Sequence, residues 1–222
     1  MSSLVNSSIA RNVVMALSGL FLVIFLAQHL TINFTSVIAP DTFNEWSHFM
    51  GYNPFVQFIL QPILMAGIVI HFVMGIMLEI RNSKARTVKY SKFSGNANSP
   101  WVSRNMILSG LVVLAFLGLH IYDFWVHEMA FKYVEANPED PTRYYAETVE
   151  KFAPAWRTVL YILAFILLAL HLWHGFASSL QTMGWNNKYS PAVKAITKVF
   201  AVVVPLGFII IALYHHFNPI TH

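Results

Sequence analysis

The chain has 222 residues, of which 56% are apolar and 11% charged; its mean hydropathy of +0.55 is too apolar for an ordinary water-soluble domain. It contains no cysteine, which excludes disulfides, thiolate-bound iron–sulfur clusters and thioether-attached haem. The net charge of +4 does not indicate nucleic-acid binding, because the basic residues gather in loops beside apolar stretches, where membrane topology accounts for them.

Five apolar runs reach the roughly twenty residues needed to cross about 30 Å of hydrocarbon. They lie at about Val13 to Val37, Pro54 to Ile80, Asn105 to Val126, Trp156 to Met183 and Ala192 to His215. This pattern predicts an all-α integral membrane protein with five transmembrane helices in a single domain over residues 1–222. Arg11 is the one basic residue before the first run and no small-residue cleavage site follows, so no removable signal peptide is expected. The connections sort by sign. Arg81, Lys84, Arg86, Lys89, Lys92 and Arg104 lie between the second and third runs with no acid from Arg81 to Arg104, and Lys188 lies between the fourth and fifth. The opposite side carries Asp41 and Glu45, then Glu128, Glu135, Glu139, Asp140, Glu147 and Glu150 against three basic residues. The positive-inside rule places the N-terminus in the cytoplasm and the C-terminus outside. Pro138 and Pro141 mark a turn-rich outer segment followed by a short surface helix over Tyr144 to Lys151, while Pro62 and Pro205 are expected to kink their helices. Trp46, Trp101, Trp125, Trp156 and Trp185 sit near the ends of the runs as an aromatic belt.

An internal repeat runs through the first four spans. Leu17-Ser18-Gly19-Leu20, Phe25-Leu26 and His29 recur at identical spacing as Leu108-Ser109-Gly110-Leu111, Phe116-Leu117 and His120. His71 with Gly75 recurs as His171 with Gly175. Spans one and two therefore read as repeated in spans three and four with the same direction across the membrane, and the fifth lies outside the repeat. An imidazole in hydrocarbon is unfavourable unless it is hydrogen-bonded, paired or metal-bound. Depth sorts the four histidines into an outer pair, His29 and His120, and an inner pair, His71 and His171. Gly75 and Gly175, one turn beyond the inner histidines, leave room for a flat macrocycle, although small residues also serve plain helix packing.

Four imidazoles without thiolates or a carboxylate cluster suit haem iron better than a hard cation. Two imidazoles per iron leave no open position, so the implied chemistry is electron transfer between two centres roughly 10 to 15 Å apart. His174, three residues beyond His171, is its rival as a ligand, and only the repeat selects His171; otherwise His174 is a candidate contact for a propionate or quinone. Arg11, Arg104 and Asn105 are candidate propionate partners, each equally a positive-inside anchor. Gly19 and Gly110 complete the candidate cofactor-binding set. Asp123 and His127 lie beyond His120, and Gln61 is the deepest of an outer polar group with Glu45, His48, Asn53 and Gln57; these are candidate proton or quinone contacts, with solvated helix ends as the plain alternative. His215, His216 and His222 read as interfacial or tail residues.

Five spans with His29, His71, His120 and His171 on the first four, in this order and spacing, resemble the di-haem cytochrome b membrane anchor of succinate dehydrogenases and fumarate reductases, the single-anchor cytochrome b558 type. The resemblance covers nearly the whole chain, including the approach Gly19-Leu20-Phe21-Leu22 to His29 and the pairing of His171 with Gly175. It implies two haem b groups, a distal one on His29 and His120 and a proximal one on His71 and His171. It further implies a cytoplasmic flavoprotein subunit that carries the dicarboxylate site, an iron–sulfur subunit, a quinone (menaquinone at family level) as redox partner, and assembly in a bacterial cytoplasmic membrane, including dimers of the whole complex. The basic segment Arg81 to Lys92 would then face the iron–sulfur subunit or lipid headgroups. Some members of that family carry a glutamate beside the fourth histidine for proton transfer; here Ala169 and its neighbours are apolar. Two other readings stay open: a different di-haem membrane cytochrome, and a haem-free transporter with a histidine proton relay.

Overall fold

A computed structural model describes residues 7–85, 106–185 and 187–220. Among these residues the chain is all-helical, with seven helices and no strand. They are α1 (Ser8–Ile38), α2 (Pro40–Tyr52), α3 (a π turn Val56–Leu60 running into Gln61–Ala85), α4 (Met106–His120, continued through π segments Ile121–Val126 and Ala130–Val134), α5 (Arg143–Phe152), α6 (Ala155–Thr182) and α7 (Ser190–Phe217). Helices α1, α3, α4, α6 and α7 are long and apolar enough to cross a membrane. The protein is therefore an all-α, multi-pass membrane protein.

Local chemistry explains where these helices start, stop and bend. The Ser7 side chain accepts the Ala10 N–H at the head of α1, and Pro40 opens α2 one residue after α1 ends, so the chain folds back sharply at Ala39. Pro62 has no N–H for the helical ladder. The π turn just before it, in which the Gln61 N–H reaches back to the Val56 carbonyl, widens the helix where the ring would otherwise crowd the preceding turn. Helix α6 stops at Gly184, whose φ of +89° is open to glycine and unfavourable for other residues. Pro205 is buried inside α7 without breaking it.

Helices α2 and α5 lie together over one end of the bundle, here called the capped end. Helix α4 extends to Val134, eight residues past the apolar run that ends at Val126, because its last turns carry the cap's charges. Arg143 grips Glu147 through one guanidinium nitrogen at 2.6 and 2.8 Å, ion-pairs with Glu128 and lies over the Phe131 and Tyr144 rings. Lys132 pairs with Glu128 at 2.6 Å, donates to the Gly51 carbonyl at 2.5 Å and sits over Tyr52. A Cβ on Gly51 would lie 2.8 Å from the Glu128 carboxylate, so a larger residue there would displace the cap's charged side chains. His48 meets Glu139 at 2.6 Å, and the Asn44 side chain accepts the Tyr145 N–H, satisfying a donor in the first turn of α5. Burial, followed by the nearby Glu128 carboxylate, pushes the Tyr144 phenol above its ordinary value. The segment forms the expected turns and short helix, and that helix, α5, packs as a lid with Arg143, Thr148, Val149 and Phe152 buried.

The apolar core sits under this cap. Phe152, Tyr161, Phe165, Val204, Phe208, Ile211 and Ala212 join α5, α6 and α7, with Leu30 and Phe34 of α1 and Phe116 and Phe124 of α4 against them. Helix α7, outside the repeat, is the most buried of the five long helices, and Gly207 lets it approach α1 so closely that a Cβ there would lie 2.8 Å from Leu30. His215 corrects the interfacial expectation: it is fully buried at the capped end of α7. The Ser36 hydroxyl donates to the Asn33 carbonyl at 2.6 Å and accepts the His215 Nε2–H at 2.9 Å. His216 bonds the Phe152 carbonyl at 3.0 Å, fastening the end of α7 to α5. His222 lies outside the described residues. Replacing Ser36 by alanine leaves the buried His215 donor without its acceptor, which typically costs about 1–3 kcal/mol. Ser36→Ala is therefore expected to lower the thermal unfolding midpoint of the detergent-solubilised protein by several degrees, whereas Ser7→Ala, at a half-exposed helix start, should lower it less.

Two candidate ligand pairs in the bundle

The four span histidines meet two by two. The His71 and His171 rings, from α3 and α6, lie with centroids 6.3 Å apart and planes at 77°. The His29 and His120 rings, from α1 and α4, lie 5.6 Å apart at 88°. Tyr161, against His120, and His171, against His71, are ten residues apart on α6, so the two pairs are separated by about 15 Å along the bundle.

At the His71/His171 pair, the surroundings of both imidazoles repeat. The Ser18 hydroxyl donates to the Met15 carbonyl at 3.0 Å and lies 3.2 Å from His71 Nδ1; the Ser109 hydroxyl donates to the Met106 carbonyl at 2.9 Å and lies 3.3 Å from His171 Nδ1. A hydroxyl has one proton, and the carbonyl three residues back lies closer to each serine oxygen than the imidazole nitrogen does. With that proton on the carbonyl, each serine oxygen accepts from an imidazole Nδ1–H, the tautomer that leaves the Nε2 lone pair of both rings available to a metal. The adjacent glycines complete the seat. A Cβ on Gly19 would meet His71 Cε1 at 3.2 Å, and one on Gly110 would meet His171 Cε1 at 3.4 Å. Gly75 and Gly175 face the Met15 and Met106 methyls, where a Cβ would come within 3.7 and 2.8 Å. The space over these glycines is thus filled by the ends of flexible thioether side chains.

The His29/His120 pair has an aromatic setting. Phe25 stacks on His29 and Phe116 on His120, each one turn earlier on the same helix, with centroids 5.3 and 5.9 Å apart. Phe208 packs against the His29 ring, and Phe124 and Tyr161 against the His120 ring. The Asn33 amide donates to the His29 carbonyl at 2.8 Å and lies 3.4 Å from its Nδ1. His120 Nδ1 is buried and has no hydrogen-bond partner among the described residues.

The donor set fits a planar iron cofactor. Two imidazole nitrogens about 2 Å either side of one metal place the ring centroids roughly 6 Å apart, close to both observed separations. Among the described residues no three His, Asp or Glu side chains converge as a metal cluster, so these sites offer two ligands each and suit a metal whose remaining positions are filled by its own macrocycle.

The other candidates are distributed unevenly. His171, rather than His174, supplies the ring opposite His71; His174 follows one turn later, half-buried. Arg11 lies in the first turn of α1, and Arg104 and Asn105 fall outside the described residues, as does most of the basic connection. Gln61 accepts the Trp125 indole N–H at 3.3 Å, and Gln57 bonds Tyr133, so both glutamines tie α3 to α4. His127 lies 3.7 Å from Glu147 in the cap. Asp123 is buried, accepting the Tyr161 hydroxyl at 2.9 Å with Arg157 at 3.5 Å. Tyr161 and Arg157 carry no signal in the sequence. Ser18 and Ser109 stand in it as repeat markers, and the identically placed hydroxyl in both halves of an apolar repeat is the clue to their role. In the metal-free protein with 15N-labelled histidine, His71 and His171 are expected to report the Nδ1–H tautomer by NMR, with a shift toward mixed tautomers in Ser18→Ala and Ser109→Ala; unchanged signals would contradict the seat described above.

Comparison of the chain with protein-family models, with curated proteins and with solved structures finds no match.

Proposed function

We propose that the chain is the membrane anchor and di-haem b electron-transfer subunit of a succinate:quinone oxidoreductase, a succinate dehydrogenase or fumarate reductase. The observation that carries this reading is the pairing of four imidazoles at two depths, one from each of four helices, with the Nδ1 of His71 and His171 each held by a serine hydroxyl. His29 and His120 would hold one haem and His71 and His171 the other. When bound, haem with two imidazole ligands supplies reversible one-electron transfer and no open site for substrate chemistry.

The chain's own residues have three tasks. Ser18 and Ser109 orient the imidazoles and raise their basicity as ligands. The phenylalanines about His29 and His120 exclude water. The cap of Arg143, Lys132, Glu128 and Glu147 closes the bundle end above that pair. In this reading the capped end faces outward. The opposite end, nearer His71 and His171, meets an iron–sulfur subunit that is bound to a flavoprotein, and a quinone of the menaquinone class exchanges electrons with the chain. The membrane is the bacterial cytoplasmic one, with the N-terminus inside.

Haem content of the purified full chain tests the pairing. His29→Ala and His120→Ala should each lose the same half of the reduced-minus-oxidised b-type absorbance, and His71→Ala and His171→Ala the other half. Removal of different haems by His29→Ala and His120→Ala would sink the proposal, as would an unsubstituted protein that binds no haem. Copurification with flavin and iron–sulfur subunits separates this reading from other di-haem cytochromes.

A further inference from the structure

The two pairs differ in what surrounds them, and the difference centres on Asp123. This carboxylate is 1% exposed and lies in the π segment that begins directly after His120. One oxygen accepts the Tyr161 hydroxyl at 2.9 Å; the other lies 3.5 Å from an Arg157 nitrogen and accepts no hydrogen bond. One turn earlier on the same helix, the buried His120 Nδ1 also has no hydrogen-bond partner among the described residues. Tyr161 links them, with its hydroxyl on Asp123 and its ring 6.2 Å from the His120 ring. The His120 Nδ1 and the Asp123 oxygen facing Arg157, both buried, one turn apart and without a hydrogen bond among the described residues, are stabilised if a single water or a small side-chain rotation joins them. A π turn inside an α-helix is also a frequent companion of functional residues. The corresponding partners of His71 and His171 are the neutral hydroxyls of Ser18 and Ser109.

From this geometry we infer that Asp123 is the anionic partner of the His120 imidazole, directly or through one water, and that its charge, opposed by Arg157, lowers the reduction potential of the iron held by His29 and His120 relative to the other pair. Asp123 is a positioning residue. A carboxylate beside Nδ1–H pushes electron density into the ligating ring and favours the oxidised iron, and a fixed negative charge in a low-dielectric site opposes the arrival of an electron. Arg157 acts in the opposite sense. The inference rests on reading His29 and His120 as iron ligands.

Potentiometric titration of the full chain in membranes, following both b-type haems optically, provides the test. Asp123→Asn should increase the reduction equilibrium constant of the His29/His120 haem at least tenfold, a rise of 59 mV for a one-electron couple, and leave the His71/His171 haem, about 15 Å away, in place. Arg157→Gln should move the same haem the opposite way, and Asp123→Glu should restore the original value. Opposite shifts distinguish a charge effect from a packing defect, which would displace the potential the same way in both variants. The inference is overturned by an unchanged potential in Asp123→Asn with the haem retained, by equal shifts of both haems, or by loss of the His29/His120 haem in both Asp123→Asn and Arg157→Gln. If Asp123→Asn alone loses that haem, the direction of the Arg157→Gln shift decides. If the unsubstituted protein binds no haem, the functional reading itself fails.

Discussion

The structure depends on the single proton of a serine hydroxyl inside an apolar helix. At Ser18 and again at Ser109, the hydroxyl bonds the carbonyl three residues back, and the same oxygen faces an imidazole Nδ1 at 3.2 and 3.3 Å. In hydrocarbon there is no water to offer an alternative partner, so the hydroxyl orients the histidine through its Nδ1. The neighbouring glycines allow the ring to come this close. Because the seat occurs once in each half of the repeat, it joins α1 to α3 and α4 to α6 and sets His71 and His171 opposite each other, with their planes nearly perpendicular.

The second constraint is the cap. Charged side chains near an apolar bundle are stable only when paired, and Arg143, Glu128, Lys132 and Glu147 achieve this by interlocking α4 with α5, while Lys132 reaches the α2 backbone at Gly51. Beneath them, His215 and Ser36 pin α7 to α1, and His216 pins α7 to α5. The aromatic core around His29 and His120 is thereby closed from one side. The two histidine pairs consequently occupy unlike surroundings: one rests on neutral hydroxyls, the other lies among aromatic rings beside the buried Asp123, Tyr161 and Arg157.

Much of the architecture was legible before folding was considered. Five apolar runs of crossing length can only be helices, since a backbone in lipid must satisfy its own hydrogen bonds. The identical spacing of Ser18, Phe25 and His29 with Ser109, Phe116 and His120 was also plain, because a repeat is a property of order along the chain. Less legible was anything that joins distant segments off the repeat. His215 read as a tail residue because its neighbours in sequence are a helix end; its burial comes from Ser36, 179 residues earlier. Arg157 and Tyr161 carried no pattern, and they matter only because α6 brings them against Asp123.

By itself, then, the sequence determined the helical class, the five spans, the two-helix repeat and the four histidines that stand out in it. All of these follow from residue chemistry and spacing along one dimension. Only the tertiary structure decided that Ser18 and Ser109 seat His71 and His171, that the acidic connection is a packed cap, and that Asp123 is buried beside His120. Such contacts depend on how helices rotate about their axes and lean on one another. A local pattern does not encode that rotation; the satisfaction of buried polar groups between helices does.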